Sequence, residues 1–234
     1  MIPRQNLRPT DWSGIELIVF DVDGTLYDQH ALRIRLARDM VFHAILGRDL
    51  RFLSVIRAYR RIRERLGEEE VVNFETPLIA QTVAATGCSE EQVRAIVTEW
   101  IEQRPLPYLM ACRYPGLTEL FAGLKRNGKS IGIFSDYPGR AKLAALGLAA
   151  DFVVSAQDHG IGLLKPHARG LEVLMTEAGA TAATTVLIGD RSERDGLAAQ
   201  RAGVRCLIRS SKPKQDCQTF AHYDDPLFAP LLSD

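Results

Sequence analysis

The sequence lacks the features that mark secreted, zinc-binding and membrane-spanning proteins. Its 234 residues include only four cysteines, without any CxxC spacing, at Cys88, Cys112, Cys206 and Cys217. This scatter favours reduced structural thiols over a disulfide framework or a zinc site. No apolar run approaches membrane-spanning length, and the N-terminal segment has no signal-peptide pattern. We therefore expect a cytoplasmic protein without a transmembrane segment.

The sequence also lacks an excess of either charge, internal repeats and low-complexity tracts. Lysine and arginine together number 29, and so do aspartate and glutamate. No whole-molecule field would attract nucleic acid, so we expect no nucleic-acid partner. An apolar content of 46% is enough to fill a globular core. The first dozen residues and the segment after about Arg209 are polar and contain proline, which is typical of the edges of a fold.

Short apolar runs that end at a polar residue are the main structural signal. LIVF (17–20) is followed by Asp21, IGIF (131–134) by Ser135 and TVLIG (185–189) by Asp190. Such runs predict buried parallel strands, and the weaker runs at 152–154 and 205–208 extend the set. Helical spacings follow at about 117–124, 171–178 and 194–202.

Strands that alternate with helices predict an α/β fold with a doubly wound parallel sheet. Ligands of such sheets bind outside the carboxyl ends of the strands. Asp21, Ser135 and Asp190 should therefore converge on one crevice.

The region from 28 to 107 differs from the rest because it contains helix patterns and no strand-like run. One predicted helix ends near Gly47, a second runs from about Leu50 to Leu66, and a third from Thr76–Pro77 to Gly87. The fourth begins with the capping pattern SEEQ at Ser89 and ends at the prolines 105 and 107. We predict an all-helical insertion between the first strand and the rest of the sheet.

Four motifs occur in order along the chain: DVDGTL (21–26), FSD (134–136), LKP (164–166) and GDRSERD (189–195). With them the sequence resembles the haloacid dehalogenase superfamily of phosphohydrolases, in particular the phosphoglycolate phosphatase and β-phosphoglucomutase type. The resemblance implies a Rossmann-like catalytic core formed by residues 1–27 and 108–234. It also implies a helical cap domain at 28–107.

The pair of carboxylates in the first motif needs a neutralising partner. Two carboxylates roughly 4 Å apart repel by about 4 kcal/mol at an effective dielectric constant of about 20, which forces proton uptake unless a cation binds. A cluster of aspartates without His or Cys favours a hard cation, so Mg²⁺ is expected rather than Zn²⁺.

The resemblance then implies a role for each acid. Asp21 would be the nucleophile that forms an aspartyl-phosphate, and Asp23 would protonate the leaving oxygen and later activate water. Mg²⁺ would be held by the side chains of Asp21 and Asp190 and by the backbone carbonyl of Asp23. Asp195 would orient a metal-bound water from outside the coordination sphere.

Phosphate binding is expected from other residues of the motifs. Ser135 and the backbone N–H of Asp136 would contact one side of the phosphoryl group, and Lys165 the other. Gly24 allows the tight turn, across which Thr25 can donate a hydrogen bond. Asp136 stands where the family often has asparagine, and we hypothesise that an arginine of the fourth motif, Arg191 or Arg194, compensates its charge.

The predicted cap is strongly basic. From 29 to 67 the sequence has three acids and ten arginines, at positions 33, 35, 38, 48, 51, 57, 60, 61, 63 and 65. One interpretation is a solvated face over the core of the cap. The alternatives are attraction to an anionic substrate tail, a lipid surface or an acidic partner.

The sequence thus predicts a Mg²⁺-dependent phosphatase that acts on a small organophosphate monoester. A phosphomutase is the alternative, because the aspartyl-phosphate can return its phosphoryl group to a substrate. A 2-haloacid dehalogenase ranks lower, since the resemblance implies that dehalogenases lack the second acid, Asp23. A non-catalytic binding module that uses the basic cap ranks lower still. The natural substrate and the oligomeric state stay open.

Overall fold

The computed structural model describes residues 11–46, 50–214 and 217–232. In these residues six parallel strands form one sheet in the order β3-β2-β1-β4-β5-β6. The strands are β1 (Leu17–Phe20), β2 (Ser130–Ser135), β3 (Phe152–Ser155), β4 (Thr185–Gly189), β5 (Arg205–Arg209) and β6 (Gln218–Phe220). The predicted α/β fold with a doubly wound parallel sheet is confirmed.

Ten α-helices surround or extend this sheet in the described part of the chain. They are α1 (Gln29–Ile45), α2 (Arg51–Glu68), α3 (Glu75–Thr86), α4 (Glu90–Val97), α5 (Leu106–Cys112), α6 (Leu117–Arg126), α7 (Arg140–Leu146), α8 (Arg169–Ala178), α9 (Leu197–Ala202) and α10 (Ala229–Leu232). Among the described residues between β1 and β2 all regular elements are helical, as the sequence predicts.

The register of the central strands sets the position of the polar residues that follow them. Phe20 lies opposite Ile133 of β2 and Ile188 of β4. The N–H of Asp21 continues the ladder by donating to the carbonyl of Ile188 at 2.9 Å. The carboxyl ends of β1, β2 and β4 are therefore adjacent, as expected for a crevice at this edge.

Both faces of the sheet are covered, which explains why β1 is apolar at every position. Ile18 and Phe20 belong to a cluster that includes residues of α6 and α7, whereas Leu17 and Val19 pack with residues of α8 and α9. All of β1 is buried, as expected for a central parallel strand.

The helices α2, α3 and α4 enclose most of a third apolar cluster, which Ala156 and Leu164 complete from the side of the sheet. In it the ring of Phe52 stacks on Trp100 with centroids 4.3 Å apart. Most of this cluster comes from residues between β1 and β2, where the sequence predicts a helical insertion. The predicted boundary of the insertion at 107 falls inside α5. Leu109 and Cys112 of this helix pack in the cluster beneath the sheet.

Some elements differ from the expectation. α4 ends at Val97 and continues as a π-helical turn over Thr98–Gln103. The last predicted helix starts later than expected, because a π-helical turn over Ser192–Gly196 precedes α9. The segment after Arg209 provides the edge strand β6, and α10 follows it.

Side chains of the C-terminal segment pack into the core. Tyr223, Phe228 and Leu231 are buried there, and Trp12 lies against the ring of Phe228. No helix in the described ranges combines the length and apolar character needed to cross a bilayer.

Candidate active site

Asp21 is buried directly after β1 and is held from two sides. The Thr25 hydroxyl donates to Oδ2 of Asp21 at 2.9 Å, and the Lys165 ammonium group donates to Oδ1. Between Asp21 and Thr25 in the chain, Gly24 has a φ of +98°. A Cβ at this position would collide with the side chain of Asp190. Only glycine therefore lets the first loop approach the fourth motif so closely.

Three carboxylates from two strand ends converge here. One carboxylate oxygen from each of Asp21, Asp190 and Asp195 lies within 4.8 Å of the other two. Burial is the main cause that raises the pKa of both Asp21 and Asp190, and the neighbouring carboxylates add to it. Mutual repulsion of this kind is relieved by a divalent cation, and an all-oxygen donor set suits Mg²⁺. These residues fit the predicted metal.

Asp195 fixes its neighbours by accepting three hydrogen bonds. Its Oδ1 accepts from the Lys165 ammonium group at 2.7 Å, and its Oδ2 accepts from the backbone N–H groups of Asp190 at 3.2 Å and Arg191 at 3.0 Å. The residue lies in the π-helical turn before α9 and is buried. Its side chain thus holds both Lys165 and the loop that carries Asp190.

Lys165 is a buried cation surrounded by acceptors. Besides Asp21 and Asp195, its ammonium group contacts the carbonyl of Phe134 at 3.2 Å. Burial alone would lower its pKa, but the charges of Asp195, Asp21 and Asp136 outweigh burial and raise the pKa. The lysine is therefore a permanent positive charge beside Asp21.

Asp23 faces a different cation. The ammonium group of Lys142 in α7 lies 2.5 and 2.7 Å from the two carboxylate oxygens of Asp23, and the Tyr27 hydroxyl donates to one of them. Burial would raise the pKa of Asp23, but Lys142 and Tyr27 outweigh it and lower the pKa. The structure thus stabilises Asp23 as the carboxylate. Its side chain is not part of the three-carboxylate group.

The second motif is partly buried, and of its two polar residues only Asp136 lines the cavity described below. Ser135 is fully buried, and its hydroxyl oxygen accepts a hydrogen bond from the backbone N–H of Tyr137 at 3.2 Å. The Asp136 carboxylate accepts from the backbone N–H of Lys165 at 2.9 Å. Asp136 therefore ties the second motif to the third.

The two arginines of the fourth motif bind the helical insertion. Arg191 pairs with Glu64 and Glu193, while Arg194 lies 3.0 Å from Oε1 of Glu64 and donates to the backbone carbonyls of Glu64 and Lys165. Neither pairs with the Asp136 carboxylate. The hypothesis that one of them compensates the charge of Asp136 is wrong, because both guanidinium groups form ion pairs with Glu64 of α2 instead.

A cavity of about 560 Å³ lies between the insertion and the strand ends. Six of the predicted site residues line it: Asp21, Asp23, Asp136, Lys165, Asp190 and Asp195. Gly24, Thr25 and Ser135 are buried behind this wall instead. The structure therefore brings most of the predicted residues together, while these three act through the shape and hydrogen bonding of their loops.

The cavity wall also includes residues outside the predicted site, among them Lys142, Glu64 and Arg63. Lys142 carries a signal, because it lies beside the buried Leu143 on the apolar side of α7, where a lysine is costly unless paired. Glu64 and Arg63 had no such signal, since they belong to a run of charged residues.

Comparison with known proteins decides the family. A model of haloacid dehalogenase-like hydrolases matches residues 15–203. The chain belongs to this family. The predicted resemblance is confirmed, and the haloacid dehalogenase-like chain is a hydrolase.

Curated relatives of this haloacid dehalogenase-like hydrolase are phosphatases. A glyceraldehyde 3-phosphate phosphatase of Methanothermobacter thermautotrophicus is 25% identical over 201 residues, which cover 85% of this chain and 87% of the relative. Phosphoglycolate phosphatase 1 of Pseudomonas aeruginosa is 28% identical over 193 residues, which cover 81% and 67%.

Solved structures agree with the fold. The magnesium-bound HAD-hydrolase YfnB of Bacillus subtilis has a TM-score of 0.67 at 15% identity, covering 93% of this chain and 98% of that one. β-Phosphoglucomutase of Clostridium difficile has a TM-score of 0.62 at 17% identity, covering 93% and 95%. At such identities the likeness concerns the architecture.

Proposed function

We propose that the protein is a Mg²⁺-dependent phosphatase that hydrolyses a small organophosphate monoester through an aspartyl-phosphate on Asp21. The observation that carries the proposal is the single cavity in which Asp21, Asp190 and Asp195 share a small volume beside Lys165 and Asp23. The named activities of the curated relatives on glyceraldehyde 3-phosphate and phosphoglycolate support a phosphate ester as substrate.

The proposed metal ligands are the side chains of Asp21 and Asp190 and the backbone carbonyl of Asp23. When bound, Mg²⁺ supplies positive charge that neutralises the carboxylates and the phosphoryl oxygens. Asp195 holds the Asp190 loop through two backbone hydrogen bonds, and this keeps the donor set in place.

In the first step an Asp21 carboxylate oxygen attacks phosphorus and the bond from phosphorus to the ester oxygen breaks. The leaving oxygen receives a proton from the acid form of Asp23, which thereby becomes the carboxylate that Lys142 and Tyr27 stabilise. Lys165 stabilises negative charge on the phosphoryl oxygens, together with the backbone N–H of Asp136. The buried Ser135 hydroxyl accepts from the Tyr137 N–H and so holds the loop that carries Asp136. The Thr25 hydroxyl keeps the other Asp21 oxygen oriented.

In the second step water attacks the phosphorus of the aspartyl-phosphate, and Asp23 accepts a proton from this water. Inorganic phosphate leaves, and the Asp21 carboxylate is restored. The contacts of Asp23 with Lys142 and Tyr27 favour the carboxylate form that this step requires. Lys142 and Tyr27 thus hold the base in position.

The helical insertion is proposed as the cap domain over this chemistry, with 28–107 as its predicted extent. It supplies part of the cavity wall, and its Glu64 binds the fourth motif. A cap in this place excludes water and selects the part of the substrate that does not react.

The test is hydrolysis of p-nitrophenyl phosphate with Mg²⁺. We expect Asp21→Asn to lower kcat at least roughly a thousandfold and EDTA to suppress the wild type reversibly. The exposed Asp224 lies away from the cavity, so Asp224→Asn is the matched control with unchanged activity.

Two results would contradict the proposal. One is full activity of Asp21→Asn, and the other is full activity of the wild type in EDTA. Phosphoryl transfer to a second sugar position without release of inorganic phosphate would instead identify a phosphomutase.

A further inference from the structure

The cap side of the cavity carries positive charge that forms no ion pair with a carboxylate of the described residues. Four arginines of α1 and α2 line the cavity: Arg33, Arg60, Arg61 and Arg63. Among the residues that the structure describes, none of the four has an aspartate or glutamate within ion-pair distance.

The acids of the same cavity are already engaged. Asp23 pairs with Lys142, and both Asp21 and Asp195 pair with Lys165. Glu64 pairs with the fourth-motif arginines. Of the two other acids of the wall, Asp136 accepts from the Lys165 N–H at 2.9 Å, and Asp190 is a proposed metal ligand. The acids of the wall therefore do not explain why four further guanidinium groups line this space.

Arg63 is the most unusual of the four because it is only 4% exposed. Its guanidinium group stacks over the ring of Tyr137 at 4.2 Å and over Phe74 at 4.8 Å. It donates to the Tyr59 hydroxyl at 3.2 Å and to the backbone carbonyl of Asp136, while its Nε–H has no acceptor. Burying a cation without a counter-ion is costly, so an anion in the cavity would stabilise this arrangement.

The charge of Arg60 also acts on the ring of Tyr137. Burial raises the pKa of Tyr137 to about 12, and the charges of Arg63 and Arg60 oppose this increase. Both guanidinium groups are therefore close enough to the ring to exert a field on it. Tyr137 and both arginines line the cavity, so this field extends into the space where a substrate would bind.

The reacting phosphoryl group does not account for these charges. Lys165 and the proposed metal site bind the phosphoryl group from the side of the core. Arg33 and Arg60 come from the opposite unit, together with the apolar side chains of Leu32, Leu36 and Ile101 that also line the wall. A wall of this composition suits a substrate whose non-reacting end is anionic and whose middle is short and uncharged.

We propose that the substrate carries a second anionic group, a carboxylate or a second phosphate, which Arg60 and Arg33 bind while Arg63 adds its buried charge. The planar guanidinium fork matches both carboxylate and phosphate oxygens. This inference rests on the proposed phosphatase function, because it concerns the other end of the same substrate.

The experiment compares matched phosphate esters at the same Mg²⁺ concentration. A two-carbon pair consists of ethyl phosphate and 2-phosphoglycolate. A three-carbon set consists of glycerol 3-phosphate, 3-phosphoglycerate and glycerol 1,3-bisphosphate, which separates a carboxylate from a second phosphate. For the wild type we expect kcat/KM to be at least roughly tenfold higher for an anionic member than for its neutral counterpart.

Arg60→Gln and Arg33→Gln should each remove most of this preference while changing kcat/KM for the neutral esters less than about twofold. The exposed Arg57 belongs to α2 but not to the cavity wall, so Arg57→Gln is the matched control that keeps the preference. The two cavity arginines are exposed side chains, so their variants should fold, which circular dichroism can verify.

The outcomes separate the two proposals. If the wild type hydrolyses none of the esters or p-nitrophenyl phosphate, the phosphatase function fails. If it hydrolyses neutral and anionic members equally in both sets, or if Arg60→Gln and Arg33→Gln lower both kinds equally, the second-anion site is wrong and the phosphatase function stands.

Discussion

At the residue scale, the two acids of the first motif differ because different cations hold them. Asp21 contacts Lys165, which it shares with Asp195, and Asp23 contacts Lys142. Burial dominates at Asp21 and raises its pKa, whereas Lys142 and Tyr27 overcome burial at Asp23 and lower its pKa. Two carboxylates on either side of Val22 thus lie in different electrostatic surroundings.

Lys142→Met is the substitution that tests the role of this lysine. The variant keeps the length of the side chain but leaves the Asp23 carboxylate without its two ammonium contacts. We expect kcat for p-nitrophenyl phosphate to fall roughly 10- to 100-fold, less than for Asp23→Asn, with KM nearly unchanged.

Steady-state and pre-steady-state kinetics provide the measurement, since slow hydrolysis of the aspartyl-phosphate would give a burst of nitrophenol. Arg140→Met is the control, because Arg140 is an exposed residue of the same helix. An unchanged kcat in Lys142→Met would show that the lysine only fills space.

At the scale of elements, the C-terminal half of α2 connects the helical unit to the strand ends. Glu64 binds two arginines of the fourth motif, and Arg63 donates to the backbone of the second. Further contacts nearby are the pair of Glu70 with Arg201 at 2.6 Å and the hydrogen bond from the Asn73 N–H to the Gly162 carbonyl. One helix end therefore touches two of the four motifs directly, and Arg194 of the fourth motif in turn donates to the Lys165 carbonyl of the third.

Glu64→Gln tests this connection. The buried Arg194 would lose its carboxylate, and we expect the free energy of unfolding to fall by about 1 kcal/mol. Glu69→Gln serves as the control, because Glu69 forms an exposed pair with Arg65 at 3.7 Å that should contribute little. Urea denaturation measures both variants, and equal effects would mean that Glu64 is an ordinary surface residue.

At the scale of the whole molecule, the carboxylate group links stability to pH and to the metal. Without metal, the pKa values of Asp21 and Asp190 are raised, so the folded state holds protons that the unfolded chain releases. Stability then decreases as pH rises above the ordinary aspartate value through the raised values. A bound divalent cation would remove this loss because it requires the ionised carboxylates.

We expect the melting temperature in EDTA to fall between about pH 5 and about pH 8, and Mg²⁺ to raise it more at the higher pH. Differential scanning fluorimetry across this range is the measurement. Asp190→Asn should weaken both effects. A stabilisation by Mg²⁺ that is the same at both ends of the range would speak against a site made of these acids.

The sequence predicts those features of the molecule that depend on residues close together in the chain. Apolar runs that end at Asp21, Ser135 and Asp190 predict strands and place their ends together, because parallel strands share one carboxyl edge. The partners of these residues are harder to predict, since Lys142 lies 119 positions from Asp23 and Glu64 lies 127 positions from Arg191. A run of arginines likewise does not reveal that Arg63 is buried, because burial depends on how α2 meets the core.

The two tryptophans of the chain lie in different cores. Trp100 stacks on Phe52 inside the helical unit, whereas Trp12 packs on Phe228 beneath the sheet. Replacing either one leaves a single tryptophan in a known half of the molecule. The protein therefore carries a separate optical reporter for each half, so that the order in which the halves melt can be followed without an attached dye.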